Sequence, residues 1–237
     1  MKTPSLISYL VFSGTTVLLL IFLFYYLRQR LKTIEAKRYT RMMLTLCAWI
    51  LFIGLVSLSG FIQDFSTIPP RFVVILLPTI AFMLYVGFST KGREYSTWFP
   101  LKALTYLQAF RIIVEYGLWQ LYQEGIVPIQ MTWDGRNIDV LIGLTAIPVA
   151  YFSFNKPLLS KYILLVWNIL GIAAVTNILI VALLSTPTSL RVFMNEPANT
   201  FIGHFPFAYL PGLLVPAAYL MHILSIRKIW SERNLKQ

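Results

Sequence analysis

The chain has 237 residues, of which 57% are hydrophobic and only 12% charged, with a mean hydropathy of +0.70. That balance excludes an ordinary soluble domain. At about 20 apolar residues per membrane-crossing helix, it leaves room for seven short-looped spans and little else. The formal charge of +11 would suit nucleic acid, but the Lys and Arg residues lie between hydrophobic runs, where they set membrane orientation, so no nucleic-acid partner is expected.

The first apolar run, residues 5–27, is longer than a signal-peptide core. No small-residue cleavage site follows it; instead come Arg28, Arg30, Lys32, Lys37, Arg38 and Arg41. It reads as a retained first span. Further spans are expected at 42–62, at 72–88 after a turn holding Pro69 and Pro70, and at 99–124 after Lys91 and Arg93. Three more follow at 138–154, 162–184 and 205–226, the last closed by a basic tail. The expected fold is all-α: one polytopic transmembrane helix bundle of seven spans, forming a single domain in contact with the lipid bilayer. Loops 1–2, 3–4 and 5–6 and the tail hold most of the 20 Lys and Arg residues. Only Lys2, Arg71, Arg136 and Arg191 fall on the opposite side, which places the N-terminus outside and the C-terminus in the cytoplasm.

Several function classes are excluded or unsupported. A retinal pigment needs a lysine in the middle of its last span, and residues 205–226 contain none. Cys47 stands alone in an apolar run, and one Cys with two His makes no metal cluster, so neither a metal nor a cofactor is expected. No zinc-protease, nucleophile-elbow or phosphate-loop signature occurs, and no internal repeat aligns the polar positions of the two halves. Seven spans by themselves assign no function.

The polar residues are few enough to weigh singly. Gln108, Arg111, Glu115, Trp119 and Tyr122 recur at helical spacing and mark one face of the 99–124 span. Arg111 falls roughly 18 Å into that span at 1.5 Å per residue, near mid-bilayer. A lone arginine there costs about 2.5–3.5 kcal/mol on insertion scales, and Glu115, one turn on, is placed to offset part of it. The pair reads either as a substrate anchor with a proton-carrying carboxylate or as an ion pair that locks helix packing. Lys102, near the cytoplasmic end, reads as a snorkelling residue.

The segment Trp133-Asp134-Gly135-Arg136-Asn137-Ile138-Asp139 reads first as turn and cap chemistry. Gly135 supplies a positive φ, Asn137 the N-cap of span 5, and Asp139 the charge complement of its helix end. The alternative is that Asp134, Arg136 and Asp139 gate or floor an outward-facing cavity above Glu115. In span 6, Asn168, Thr176 and Asn177 read as interhelical hydrogen-bonding groups. Pro206, Pro211 and Pro216 recur through span 7 with Gly212, and Pro78 and Pro148 fall in spans 3 and 5, which suits kinked helices around a cavity. His204 and His222 are too far apart to share a haem and read as interfacial.

Three blocks, FRIIVEYGL, MTWDGRNIDVLIGLTA and NEPAN followed by FPFAYLPGLLVPAAYLMHILSIRKI, together resemble a family of uncharacterised bacterial integral membrane proteins of about this length. The resemblance covers roughly the C-terminal three fifths of the chain. It implies the bacterial cytoplasmic (inner) membrane and a polytopic helical fold, and it implies no activity.

The leading functional expectation is a small-molecule binding or transport-type bundle walled by spans 4, 5 and 7. Arg111 would hold a small polar or anionic ligand, and Glu115 would balance that charge or carry a proton. Two rivals stand beside it: an intramembrane enzyme acting on a lipid or quinone-like substrate through Glu115 or His204, and a non-catalytic accessory or assembly protein.

Overall fold

The computed structural model describes residues 2–31 and 36–234, and no strand occurs among them. Lys32 of the expected basic loop and Lys236 of the expected tail lie outside the described residues. Nine α-helices are found there: α1 (Leu6–Leu31), α2 (Ala36–Leu58), α3 (Val73–Phe88), α4 (Thr90–Trp98), α5 (Leu101–Leu107), α6 (Phe110–Gln123), α7 (Asp139–Ala150), α8 (Lys161–Leu184) and α9 (Val215–Asn234). Among the described residues, four segments are long and apolar enough to cross a membrane: Leu6–Gln29, Lys37–Leu58, Lys161–Leu184 and Leu210–Ser231. Taking the bent pair α3 and α4 as one span makes five.

The outer surface is what a hydrocarbon solvent accepts. Leu10, Val17, Leu18 and Ile21 on α1, Leu44, Leu51 and Leu55 on α2, and Leu141, Leu144 and Ile147 on α7 are all exposed. Such contiguous apolar faces would drive a water-soluble chain to aggregate. Cys47 is exposed among the α2 residues.

The helices depart from the expected spans where the backbone is interrupted. After α3 the chain turns by 89° into α4, which occupies residues expected to be loop. Ser89 caps the new helix by accepting from the Gly92 amide at 3.1 Å. The carbonyls left open at the end of α3 are met by Arg227 of α9, which donates to Val86, Gly87 and Ser89. The expected 99–124 span is two helices, because three-residue bonds from the Gln108 amide to Thr105 and from the Arg111 amide to Gln108 tighten the chain between α5 and α6. Thr105 Oγ1 bonds back to the Leu101 carbonyl at 2.9 Å, a contact that bends helices.

Pro148 and Pro211 mark π turns, whereas α3 runs on through Pro78 as α-helix. Beyond Pro148 the last turn of the α7 segment is π-helical, Tyr151–Asn155. The seventh hydrophobic segment opens with a π turn, Leu210–Leu214, and continues as α9 into residues expected to be tail. Pro216 has no amide to offer the Gly212 carbonyl four residues back, and Trp49 Nε1 of α2 donates to it instead at 3.0 Å.

α9 is the hub: α8, α3, α4 and α5 all pack on it. Elsewhere in the core Phe12, Phe201 and Phe207 form an edge-to-face trio, each fully buried.

Gly92 marks the tightest point of the α3–α4 bend, because a Cβ there would sit 1.8 Å from the Val86 carbonyl oxygen. Gly92→Ala is therefore expected to destabilise the protein by roughly 1–3 kcal/mol, read as a lowered apparent melting temperature in detergent. At Gly87 an added methyl group meets nothing within 4 Å, so Gly87→Ala is expected to leave that temperature unchanged or slightly raised.

Candidate functional site

On α6, Arg111, Val114, Glu115 and Leu118 face the protein interior while Ile113 and Tyr116 face outward. Arg111 and Glu115 are each only 2% exposed. The turn that follows brings two more polar groups against them. Its backbone is closed by the Gly135 amide to Thr132 O, the Arg136 amide to Gln130 O and the Asn137 amide to Thr132 O. Gly135 is required here by crowding and not by a positive φ: a Cβ would lie 2.2 Å from the Ile129 carbonyl oxygen.

This turn aims Asn137 inward. Its Nδ2 donates to Glu115 Oε2 and to the Met131 carbonyl, and its Oδ1 accepts from the Asp139 amide at 3.0 Å. Asn137 therefore does more than the expected N-cap. The N-cap position of α7 is Ile138, and Asn137 ties the helix start to the Glu115 carboxyl. Asp139, the first residue of α7, accepts from Arg111 Nη1 at 2.8 Å in a buried ion pair. The partner of Arg111 is thus Asp139 on the next helix, and not Glu115 four residues on. The reason is reach: a side chain across a helix interface meets the guanidinium end-on, whereas Glu115 is engaged by Asn137.

Arg111 remains under-satisfied. Its Nε and Nη2 are buried with no hydrogen-bond partner among the described residues. Each unmet buried donor costs about 1–3 kcal/mol, and more on a charged group. Arg111 lines a cavity of about 70 Å³, in which Arg111, Glu115 and Asp139 are the only ionisable side chains among the described residues. The remaining wall is apolar and comes from α3, α6, α8, α9 and the Leu210–Leu214 turn, including Val114, Leu118, Val175, Ile178 and Leu214, with Met131 and Ile202 from connecting segments. Residues of the expected spans 4, 5 and 7 line this cavity, and the lining extends beyond them. Spans 3 and 6 supply walls, and span 5 contributes Asp139.

The other candidate residues separate from this cluster. Gln108 is buried one turn below, donating from Nε2 to the Ala218 carbonyl at 3.3 Å while its Oε1 is unpartnered among the described residues. Trp119 Nε1 donates to Asp134 Oδ2 at 3.0 Å and stacks on Trp133 with 5.7 Å between centroids, forming an exposed aromatic corner. Arg136 is exposed over the Phe193 ring. Tyr122 is half-buried. Asp134, Arg136, Trp119 and Tyr122 do not line the cavity.

Several groups were not read as site residues. Gln130 bridges the turn to the later loop, donating to Ser185 Oγ and accepting from Asn195 Nδ2. His222, expected at the interface, is fully buried, its Nδ1 2.9 Å from Asn168 Oδ1 and its ring edge-on to Trp167. Tyr219, one turn from it, donates to Thr176 at 2.9 Å. His204 lies apart, half-buried, with Nδ1 at 3.3 Å from the Thr200 carbonyl. The asparagine–aspartate spacing in Asn137-Ile138-Asp139 is an Asx-turn signal that pointed to Asn137; nothing in the sequence paired His222 with Asn168.

No family model, curated protein or solved structure matches the chain. What the site can do is read from its geometry.

Removing one partner of a buried pair strands the other. Asp139→Leu is expected to cost roughly 3–5 kcal/mol, and Arg111→Met added to it should restore most of that loss. Arg111→Met combined with Glu115→Leu should not, because Asp139 then stays unpaired. Denaturant titration in detergent reads all three.

Proposed function

We propose that this protein is a membrane-embedded small-molecule binding or transport-type bundle whose ligand is held by Arg111. The observation that carries the reading is a buried guanidinium with two donors unpartnered among the described residues, on a residue that lines a largely apolar cavity. A purely structural ion pair gains nothing from leaving charged donors bare in a low-dielectric interior, whereas a binding site requires it. Glu115, held by Asn137 beside the pair, is the carboxyl placed to balance the charge of a ligand or to carry a proton with it.

In this reading the bundle crosses the bilayer seven times, with the N-terminus outside and the C-terminus in the cytoplasm. The α5–α6 pair and α7 with its π turn would complete the passes, and α4 would lie along the cytoplasmic interface. That orientation puts the Arg111 cluster in the outer half of the membrane, beneath the turn at residues 129–137. A bacterial inner-membrane location follows from the resemblance of the three blocks.

Mass spectrometry of the protein purified in mild detergent tests the reading. Wild type is expected to retain a small molecule that Arg111→Ala loses, and Glu115→Gln is expected to change its uptake or affinity while the protein stays folded. Wild type and both variants empty, with uptake indifferent to them, would reject it.

A further inference from the structure

The chemistry of the ligand can be narrowed from the guanidinium outward, on the ligand-binding reading above. Arg111 spends Nη1 on Asp139. The two unpartnered nitrogens, Nε and Nη2, lie side by side along one edge of the planar group. That edge offers two parallel N–H donors, the fork that matches the two oxygens of a carboxylate or a phosphate. A single hydroxyl or carbonyl acceptor would leave one of the two donors unmet.

Charge separates the two oxyanions. Glu115 and Asp139 line the same cavity as Arg111, so one cation already faces two carboxyl groups. A phosphate monoester brings a charge of about −1.5 to −2, whereas a carboxylate brings at most one negative charge. The smaller charge fits.

The body of the ligand is set by the remaining wall. Apart from the three ionisable residues, every lining side chain is apolar, so no group answers a hydroxyl or amide on the ligand. The cavity also reaches the flank of the bundle. α3 and α8 each pack on α9 far more than on each other, and Leu76 of α3 with Leu179 and Leu183 of α8 are half-buried lining residues.

From these features we infer that the cavity binds a monocarboxylic acid with an unsubstituted hydrocarbon body. The carboxylate accepts from Arg111 Nε and Nη2, and the hydrocarbon lies against α8 and α9. The same chemistry is offered by a short acid dissolved in water and by a long-chain acid dissolved in the bilayer.

The test uses the full-length protein in phosphatidylcholine nanodiscs and measures binding of radiolabelled octanoate and oleate, with octanol and octyl phosphate as competitors. One of the acids is expected to saturate a single site, with octanol and octyl phosphate each competing roughly tenfold more weakly or worse. Preference for octanoate assigns the aqueous source and preference for oleate the bilayer. Arg111→Lys keeps a cation for Asp139 but loses the fork, and is expected to weaken binding about tenfold or more. Ala182→Phe fills the apolar wall without touching the charged cluster, and should do the same; it carries the test if Arg111→Lys does not fold. Octanol binding as well as octanoate, octyl phosphate binding better, or acid binding indifferent to Ala182→Phe would each overturn the inference. If neither acid binds while another molecule co-purifies and is lost in Arg111→Ala, the acid class falls and the ligand-binding reading stands. If nothing binds or co-purifies, both fall.

Discussion

A guanidinium buried inside an apolar bundle is the constraint on which the rest of the site depends. A charge removed from water is tolerated only where an opposite charge and enough hydrogen bonds surround it. Here the opposite charge comes from Asp139 at the very start of the next helix. The connection between α6 and α7 cannot therefore be a loose tether. It must deliver a carboxylate to a point inside the bundle, and the crowded turn at Gly135 and the three bonds of Asn137 do so. The demand spreads further, since Gln130 in the same connection is bonded to Ser185 and Asn195. Two long connections and the ends of α6, α7 and α8 are thus held in one arrangement by polar contacts that trace back to Arg111.

α9 plays the complementary role on the apolar side. Because α3 and α8 both pack on α9, their positions relative to each other are set through α9, while α7 joins α8 to α6. The cavity is the space left where those helices diverge. Its polar end is built by α6 and the start of α7, and most of its apolar wall by α8, α9 and the Leu210–Leu214 turn.

Composition and charge spacing made the helical, lipid-facing character legible, because lipid exposure selects whole faces such as Leu44, Leu51 and Leu55 on α2. The 3.6-residue period likewise identified Arg111 and Glu115 as inward-facing. The limits have physical causes. Periodicity along one helix cannot see a partner arriving from another, so Glu115 was read as the counter-charge and Asp139 as a helix-end residue. A polar run such as residues 90–98 carries no apolar stripe, so α4 left no helical signature. The break at Gln108 involves neither proline nor glycine and depends on three-residue backbone bonds that no residue type announces. His222 looked interfacial because its partner, Asn168, lies on a different helix.

The indole of Trp49 has a consequence for how this bundle can move. It supplies the hydrogen bond that Pro216 withholds from the Gly212 carbonyl, and it does so from a different helix. A bond within a helix holds a helix to itself; this one latches α2 to the π turn of the last segment. Tyr209 Oη adds a second tie, donating to the Ile50 carbonyl of α2 at 3.1 Å. Any displacement of α2 is therefore transmitted to the Leu210–Leu214 corner, where Leu210, Pro211 and Leu214 meet the cavity.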